Sequence, residues 1–433
     1  MAFRKGTAAN FLDMLKMLKG FVSSAKQITN IVYNPANAGN GFISAEFAGD
    51  AAPDETWTIA FTSATAFTVT GSASGLQTAT GTAGSYQPEE NTALTGQAVT
   101  YASDSGEVTF RIIIGNNPWV SGDSITLDVV AGLGVYKWTV KQYTDSDIAG
   151  SVAGIDKQII FNAPGTGANE VYCGIQMYQN TVPTVPIYGW KLAGFTGYLT
   201  DAAIKFAQQP GLHAGMPRCL FSERESQYKI VANGRRVMMF YQVIGDVYEC
   251  MHLGLMLPYG LPNENPYPML VGGTTPLDNI DWLSTSEQHT AFWNFAASGD
   301  NPGTSTSGKV WDGAWFPVAN KNATYDQLGP YDIFRVWPWQ EHHANNNVGG
   351  GQYGQQTMIK IKRNYDGSYP TLPAVVWKGI NTKRILGRIE GLYAIPGDAV
   401  AAGDRFVIDS IEYYVFPQPY LRTPQDWCAL KME

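Results

Sequence analysis

The stretch that most constrains the fold of this chain is residues 228–273, which read YKIVANGRRVMMFYQVIGDVYECMHLGLMLPYGLPNENPYPMLVGG. Its first two apolar runs are joined by Asn233-Gly234, the dipeptide that best supplies the positive φ angles of a two-residue hairpin turn. The second run, residues 237–244, is almost continuously apolar, which predicts a strand covered on both faces. A third run, residues 247–257, is expected to pair back as a meander. The proline-rich loop that follows, residues 258–268, has fixed φ angles and fewer backbone donors.

Composition extends this interpretation to the whole chain. Charged residues are only 15% of 433, against about 25% in an ordinary soluble domain, and 46 Gly and 24 Pro provide frequent turns. These values predict a mostly β protein of several β-sandwich or β-barrel-like modules, with one short N-terminal helix and long loop insertions. A surface so poor in charge is typical of a chain that other subunits cover. The net charge of −8, without Lys/Arg clusters, argues against nucleic-acid binding.

The cysteines and the N-terminus exclude two further classes. Cys173, Cys219, Cys250 and Cys428 are far apart and form no C-x-x-C pair, so we expect buried free thiols in a reducing compartment and no zinc site. The apolar residues near the N-terminus are interrupted by charges, which argues against a secretion signal or a membrane span.

Residues 7–26 carry the clearest helical pattern. Thr7 is a suitable cap, and Phe11, Leu15 and Leu18 recur on one stripe with Phe21/Val22. Three interpretations stay open: a helix packed on its own domain, an arm that docks onto a neighbouring subunit, and a membrane-surface helix. We take residues 1–40 as an N-terminal helical arm.

Residues 41–131 are rich in Thr, Ser, Ala and Gly and contain strands that alternate between apolar and polar residues, such as residues 57–61 and 108–112. Turn residues separate these strands at the spacing of a β-sandwich, so we predict an accessory sandwich module. A central β domain is expected over residues 132–273. Aromatic residues there, including Trp190 and Tyr198, fill a core or an interface, or alternatively form a glycan-binding platform.

The rest of the chain divides into a loop-rich insertion and a β region. Residues 274–356 contain many Gly and Asn residues and six tryptophans, among them Trp282, which are large enough to anchor loops against a partner. Residues 357–433 return to clear strand patterns, with Asp409-Ser410 as a tight hairpin turn, and are expected to pack with the central domain.

The sequence contains few candidates for chemistry. Glu341-His342-His343 is the only place where metal-type ligands adjoin, and adjacent histidines on a strand point to opposite sides. Asp278 and Asp281, and the cluster of Asp50, Asp54 and Glu55, have the residue type of a glycosidase pair, but such acids are also common in turns. We therefore predict no catalytic residue, no cofactor and no metal, and interpret the chain as a non-enzyme.

Three segments nevertheless resemble structural and tail-associated proteins of tailed bacteriophages. They are WTIAFTSATAFTVTGSASGLQTATGTAG with VTFRIIIGNNPWVSGDSITLDVV, the central NGRRVMMFYQVIGDVYECMHLGLMLPYGLPNENPYPMLVGG, and the closing GRIEGLYAIPGDAVAAGDRFVIDSIEYYVFPQPYLRTPQDWCALKME. Together they touch less than half of the chain. The resemblance implies a structural component of a virion, assembled in the host cytoplasm, in the collar or neck, the baseplate or the fibre attachment.

The same resemblance implies the partners. They are copies of the chain in a symmetric ring or trimer and other virion proteins. The charge pattern described above, and not the resemblance, leads us to expect neither nucleic acid nor membrane as a partner. The alternative functions are a receptor- or glycan-binding tail protein, with host surface glycan as its partner, and a tailspike-like glycan hydrolase. The residues we expect to anchor interfaces are Phe11, Leu15, Leu18, Tyr259, Pro262, Tyr267 and Trp282.

Overall fold

The fold is taken from a computed structural model of the whole chain. It describes residues 2–85, 98–148, 151–166, 169–180, 187–201, 204–212, 216–222, 224–245, 247–260, 269–273, 313–317, 333–335, 371–378, 384–395, 400–417 and 427–432. The prediction of a mostly β chain with one short N-terminal helix is confirmed, because the described strands form five antiparallel sheets.

The helical elements are α1 (Phe11–Ser23) and the 3-10 turns Gly134–Tyr136 and Phe206–Gln208. The strands of the first third are β1 (Ala2–Ala8), β2 (Lys26–Tyr33), β3 (Phe42–Ala48), β4 (Glu55–Phe61), β5 (Ala66–Gly71), β6 (Gly75–Leu76), β7 (Gly81–Thr82), β8 (Tyr101–Ala102), β9 (Val108–Ile113) and β10 (Ser124–Ala131). The central strands are β11 (Thr139–Asp145), β12 (Lys157–Thr166), β13 (Asn169–Asn180), β14 (Ile187–Phe195), β15 (Arg218–Phe221), β16 (Ser226–Ala232), β17 (Arg236–Ile244), β18 (Val247–Leu255), β19 (Leu257–Pro258) and β20 (Met269–Gly272). The last are β21 (Gly313–Pro317), β22 (Ile333–Arg335), β23 (Leu372–Lys378), β24 (Arg384–Ile395), β25 (Arg405–Ile408), β26 (Ile411–Pro417) and β27 (Trp427–Lys431).

Two of the sheets form a sandwich in the first third of the chain. One has the order β2-β10-β4-β5-β6 with β7 beside β5, and the other has the order β3-β9-β8. Their facing side chains form a single apolar core that includes Trp57, Phe61 and Trp119. The rings of Phe61 and Trp119 stack with centroids 4.2 Å apart. The alternating pattern thus places every second residue in this core.

The other three sheets form three layers. The inner sheet has the order β1-β16-β17-β18-β20, the lateral sheet is β11-β12-β13-β14-β15, and the C-terminal sheet runs β22-β21-β23-β24-β27-β26-β25 with β19 beside β24. One core, together with α1, separates the inner and lateral sheets, and a second core separates the inner and C-terminal sheets. The inner sheet is therefore covered on both faces, as the unbroken apolar run of β17 predicted.

The hairpin between β16 and β17 differs by one residue from the predicted turn. Ala232 pairs with Val237, and neither Asn233 nor Gly234 has a positive φ. The amide of Asn233 donates to the Arg236 carbonyl at 2.9 Å, and its side-chain oxygen accepts from the amides of Arg235 and Arg236 at 2.8 and 3.0 Å. Asn233 therefore precedes the turn as an Asx residue and Gly234 and Arg235 form its centre.

The helix also begins later than predicted. Asn10, not Thr7, is its N-cap, and the Asn10 side chain accepts from the amide of Asp13 at 2.8 Å. Thr7 lies instead in β1, which pairs antiparallel with β16. Seven residues that carry no helical periodicity of their own are thus recruited to the inner sheet by tertiary pairing.

Residues 1–40 were expected to form an arm, but their two strands join different sheets. β1 extends the inner sheet, whereas β2 pairs with β10 in the sandwich. The N-terminal segment therefore connects the sandwich to the layered part of the chain. Of the region predicted to return to strands, residues 357–370 lie outside the described residues. Within the predicted loop-rich insertion, β21 and β22 pair into the C-terminal sheet.

The predicted Asp409-Ser410 turn is confirmed. Ile408 pairs with Ile411, and the two residues between them have φ angles of 50° and 65°. Positive φ at both central positions is the geometry of a type I′ turn, whose twist matches that of the strands. Neither residue is glycine, so each side chain is held in the left-handed region at an energetic cost.

We expect Ser410→Gly to stabilise the protein by about 0.5–1 kcal/mol, because glycine adopts positive φ without the steric cost of a Cβ. The measurement is the shift of the chemical denaturation midpoint. Ser121→Gly is the control, since Ser121 is also an exposed turn residue but is not at positive φ. The control is expected to lose stability, and an equal loss in Ser410→Gly would contradict the assigned turn.

Candidate functional site

The three helical residues predicted to anchor an interface lie inside their own chain. Phe11, Leu15 and Leu18 are at most 3% exposed and belong to the core between the inner and lateral sheets. The ring of Phe11 contacts that of Tyr188, with centroids 5.1 Å apart. The interpretation of a docking arm does not fit this burial, because side chains that fill their own core are not available to a neighbour. The helix packs on its own domain.

The remaining anchor candidates divide into one exposed residue and three outside the described residues. Tyr259, directly after β19, is 55% exposed and is available to a partner. Pro262, Tyr267 and Trp282 lie outside the described part of the chain.

The glycan-platform candidates are not suited to stacking on a sugar. Trp190 is fully buried, and its ring centroid lies 4.5 Å from that of Phe221. Tyr198 is half-buried, and its hydroxyl donates to the carbonyl of Lys141 at 3.2 Å. The run of aromatic residues fills a core because alternate residues of β14 face the inner sheet, so Trp190 does not form the predicted platform.

The structure shows instead a polar junction where β3 meets β1 and α1. Ser44 pairs with Arg111 and Phe47 pairs with Thr109, so two residues of β3 oppose one residue of β9. Such a bulge shifts the alternation of the strand by one residue. Ala45 within it has a φ of 52°, in the left-handed region that alanine rarely adopts.

The bulge decides which side chains reach the junction. Ile43 and Ala48 both face the sandwich core, although an uninterrupted strand would place residues five apart on opposite faces. Ser44, Glu46 and Phe47 contact α1, β1 or the inner sheet. One strand thus contributes both to the sandwich core and to the contact with the layered part.

Glu46 forms the first buried ion pair of the junction. Its carboxylate contacts the Arg4 guanidinium, and both side chains are at most 2% exposed. The hydroxyl of Tyr228 donates to the same carboxylate at 2.5 Å. Burial by itself would lower the pKa of Arg4, but the charges and hydrogen bonds of Glu46 and Tyr228 together outweigh it and the pKa is raised. Burial also raises the pKa of Tyr228 well above its ordinary value.

Asp13 forms the second buried ion pair. It is fully buried in α1 and pairs with Arg111 of β9, and the hydroxyl of Ser44 donates to it at 2.8 Å. The Ser44 hydroxyl also accepts from the amide of Ala9 at 3.0 Å, just before the helix. Beside this pair, a Cβ on Gly20 would lie 2.8 Å from the Phe47 ring, so the glycine permits the close approach of helix and strand.

A second polar cluster joins the inner and C-terminal sheets. Glu390 of β24 accepts from Arg235 at 2.8 Å and from the side chain of Asn233 at 3.2 Å, and lies 3.5 Å from the buried guanidinium of Arg236. Burial alone would raise the pKa of Glu390, but the two arginines lower it. The carbonyl of Asn233 accepts from the indole of Trp138 at 2.8 Å. The turn is thereby held to both neighbouring layers.

His252 lies in the same interface and is a core histidine. It is fully buried, and its Nδ1 lies 3.0 Å from the carbonyl of Leu270. Burial, helped by the charge of Arg236, lowers its pKa to about 3, so the ring is neutral and Nδ1–H is the donor. This environment makes His252 a structural residue.

The acids grouped before the sandwich have structural partners. Asp50 accepts from the amide of Ala25 and pairs with Lys137, which together lower its pKa. Glu55 accepts from the amides of residues 73 and 74 at 2.6 and 2.9 Å and so supports the turn after β5. Asp278 and Asp281 lie outside the described residues.

The thiols and the metal-type ligands give no site within the described ranges. All four cysteines are free and buried, as predicted, and burial raises the pKa of the Cys173 and Cys428 thiols. No three His, Cys, Asp or Glu side chains of the described ranges are grouped to hold a metal ion, and Glu341-His342-His343 lies beyond them. No helix in these ranges is long and apolar enough to cross a membrane.

Exposed apolar side chains mark the outer strands of two sheets. Val32 and Tyr33, which are 53% and 37% exposed, lie on β2 at one edge of the sandwich. Val407, which is 65% exposed, lies on β25 at the edge of the C-terminal sheet. An outer strand presents backbone donors and acceptors to other chains, so these positions suit protein–protein contact better than chemistry on a small molecule.

Comparison of the chain with protein-family models finds no match, and comparison with curated proteins finds no relative.

The junction was not predicted from the sequence, although two of its residues carry a signal there. The alternation over residues 108–112 already placed Arg111 on the face opposite the sandwich core. Asp13, the one acid within the predicted helix of residues 7–26, is the matching signal. The bulge at Ala45 and Glu46 carries no such signal, because alanine gives no indication of a positive φ.

We expect Glu46→Gln to destabilise the protein by about 3–5 kcal/mol, because it leaves the buried Arg4 guanidinium without a counter-charge. The measurement is chemical denaturation followed by tryptophan fluorescence.

The control for this variant is Glu412→Gln, which removes an exposed ion pair with Arg405 of 2.9 Å. Such a pair contributes less than about 1 kcal/mol. Equal effects of the two substitutions would contradict the structural role assigned to Glu46. The double variant Arg4→Met/Glu46→Gln, which leaves no unpaired charge, is expected to recover part of the lost stability.

Proposed function

We propose that the chain is a non-enzymatic structural component of a tailed-phage virion that acts by homo-oligomeric assembly. Within the virion we assign it to the tail apparatus, at the collar or neck, the baseplate or the fibre attachment. The resemblance of its three segments to tail-associated proteins of tailed bacteriophages supports this assignment.

The structural observation that carries the proposal is the division between interior and periphery. Within each of the two polar clusters the buried ionisable groups pair with one another, and these ion pairs join separate layers of the protein. The exposed apolar residues Val32, Tyr33 and Val407 lie on outer strands, and Tyr259 is exposed directly after β19. A protein whose layers are fixed by internal ion pairs, and whose exposed apolar residues lie on outer strands, is suited to stable contact between subunits.

The same observation ranks the alternative functions. A glycan-binding tail protein requires an accessible aromatic platform, and Trp190 is buried. A glycan hydrolase requires paired carboxylates in a cleft, whereas Asp50 and Glu55 support loops of the sandwich. Assembly therefore remains the function with the most support.

We expect the chain to be present in purified phage particles and to occupy a defined place there. Mass spectrometry of the particles is expected to detect it, and antibody-gold labelling in electron microscopy is expected to label the neck or the baseplate. Antibody absorbed beforehand with the purified chain is the control for specific labelling. Label confined to fibre tips would favour receptor binding, and absence of the chain from particles would exclude the virion assignment.

A further inference from the structure

The C-terminal sheet covers only part of one face of the inner sheet. Towards one end this face is buried, with Val231, Met238 and Phe240 in the core between the two sheets. Towards the other end it reaches solvent, where Lys5 is exposed and Lys229 is partly buried. We call Lys5 and Lys229, at this end of the face, the lysine pair.

The two lysines stand directly opposite each other. Lys5 of β1 and Lys229 of β16 are register partners in the antiparallel ladder. Residues so paired have Cβ atoms about 4.5–5.5 Å apart, and like charges in these positions repel. The two charges therefore repel each other in the isolated chain.

Aromatic rings form the floor beneath Lys229. Its ammonium lies 5.0 Å from the ring centroid of Tyr414 and 5.6 Å from that of Phe416. The ring of Phe416 stacks on that of Phe240, with centroids 4.3 Å apart. Ring contact of this kind holds the ammonium in place but supplies no negative charge. Burial, with a smaller effect of Lys5, lowers the pKa of Lys229 to about 8.

The lysine pair contrasts with its cationic neighbour. Arg405 also lies over the Tyr414 ring, 5.8 Å from the centroid, and it is paired with Glu412. Within the described residues no carboxylate forms an ion pair with Lys5 or Lys229, whereas Arg4, Lys26, Arg111, Lys137 and Lys157 each have one. Among the described residues the lysine pair is therefore a positive site without a carboxylate partner, on a chain with 37 acidic and 29 basic residues.

We propose that the lysine pair, on its floor of Tyr414 and Phe416, receives a carboxylate side chain from a second copy of this chain. One carboxylate between the two ammonium groups removes their repulsion and forms charge-assisted hydrogen bonds with both. A second copy is the occupant because each copy carries an excess of carboxylates, while none among its described residues pairs with this site. The inference rests on the proposed homo-oligomeric function and names one contact of that assembly.

The test uses the full chain in two isotopic forms. Equal amounts of unlabelled and ¹⁵N-labelled protein are allowed to assemble together and are treated with a carbodiimide, which joins an amine to a nearby carboxylate as an amide. Mass spectrometry then identifies the linked peptides. We expect linked pairs that combine a light and a heavy peptide and that include Lys5 or Lys229.

A variant provides the second measurement. Lys5→Met/Lys229→Met keeps the apolar stems but removes both charges, and it is expected to raise the dissociation constant of self-association at least tenfold. Because it also removes a repulsion, it is not expected to lower the melting temperature. Lys141→Met, at an exposed position of β11, is the matched control and is expected to self-associate as the parent chain does.

The outcomes separate this inference from the proposed function. Assembly with linked peptides elsewhere, but with none at the lysine pair and no effect of the double variant, overturns the inference and leaves the proposed function intact. Light–light and heavy–heavy pairs alone at these lysines also overturn it, since they show a contact within one copy. A chain that stays monomeric at every concentration contradicts both.

Discussion

The bulge at Ala45 and Glu46 is the constraint on which the arrangement of the first half of the chain depends. By shifting the alternation of β3, it leaves Ile43 and Ala48 in the sandwich core and directs Glu46 towards Arg4 and Tyr228. Without the extra residue, either the contacts of β3 in the sandwich core or its contacts in the junction would be lost. A positive φ at an alanine costs about 1–2 kcal/mol, which the buried contacts of the junction offset.

The junction also explains the role of the N-terminal segment. β1 and β2, with α1 between them, belong to different sheets, so the chain joins the layered part and the sandwich within its first thirty-three residues. The ion pairs Arg4–Glu46 and Asp13–Arg111 fix the same two parts through side chains. Buried ion pairs add little net stability compared with apolar packing, but they are intolerant of displacement. They therefore favour one relative placement of the two parts.

How far the sequence predicted this structure depended on the range of the interactions involved. The apolar run of β17, the alternation of β9 and the Asp409-Ser410 turn are local patterns, and each was interpreted correctly. β1 has no local strand pattern. It is a strand because it pairs with residues more than two hundred positions away, and local propensity does not report such long-range pairing. The stripe of α1 was recognised, but a stripe alone does not tell whether its partner is the same chain or another. The aromatic pattern around Trp190 likewise did not tell whether the ring packs within the chain or against a partner, and the ring is buried within the chain.

Hydrogen–deuterium exchange of the isolated full-length chain, resolved by peptide mass spectrometry, tests most directly whether the N-terminal segment is an integral part of the fold. If the buried junction holds it, the amides of α1 and of the bulged strand β3 are protected for as long as those of β17 in the inner sheet. Exchange of α1 within seconds, while β17 remains protected, would show a detachable arm and would contradict the structural role of the junction.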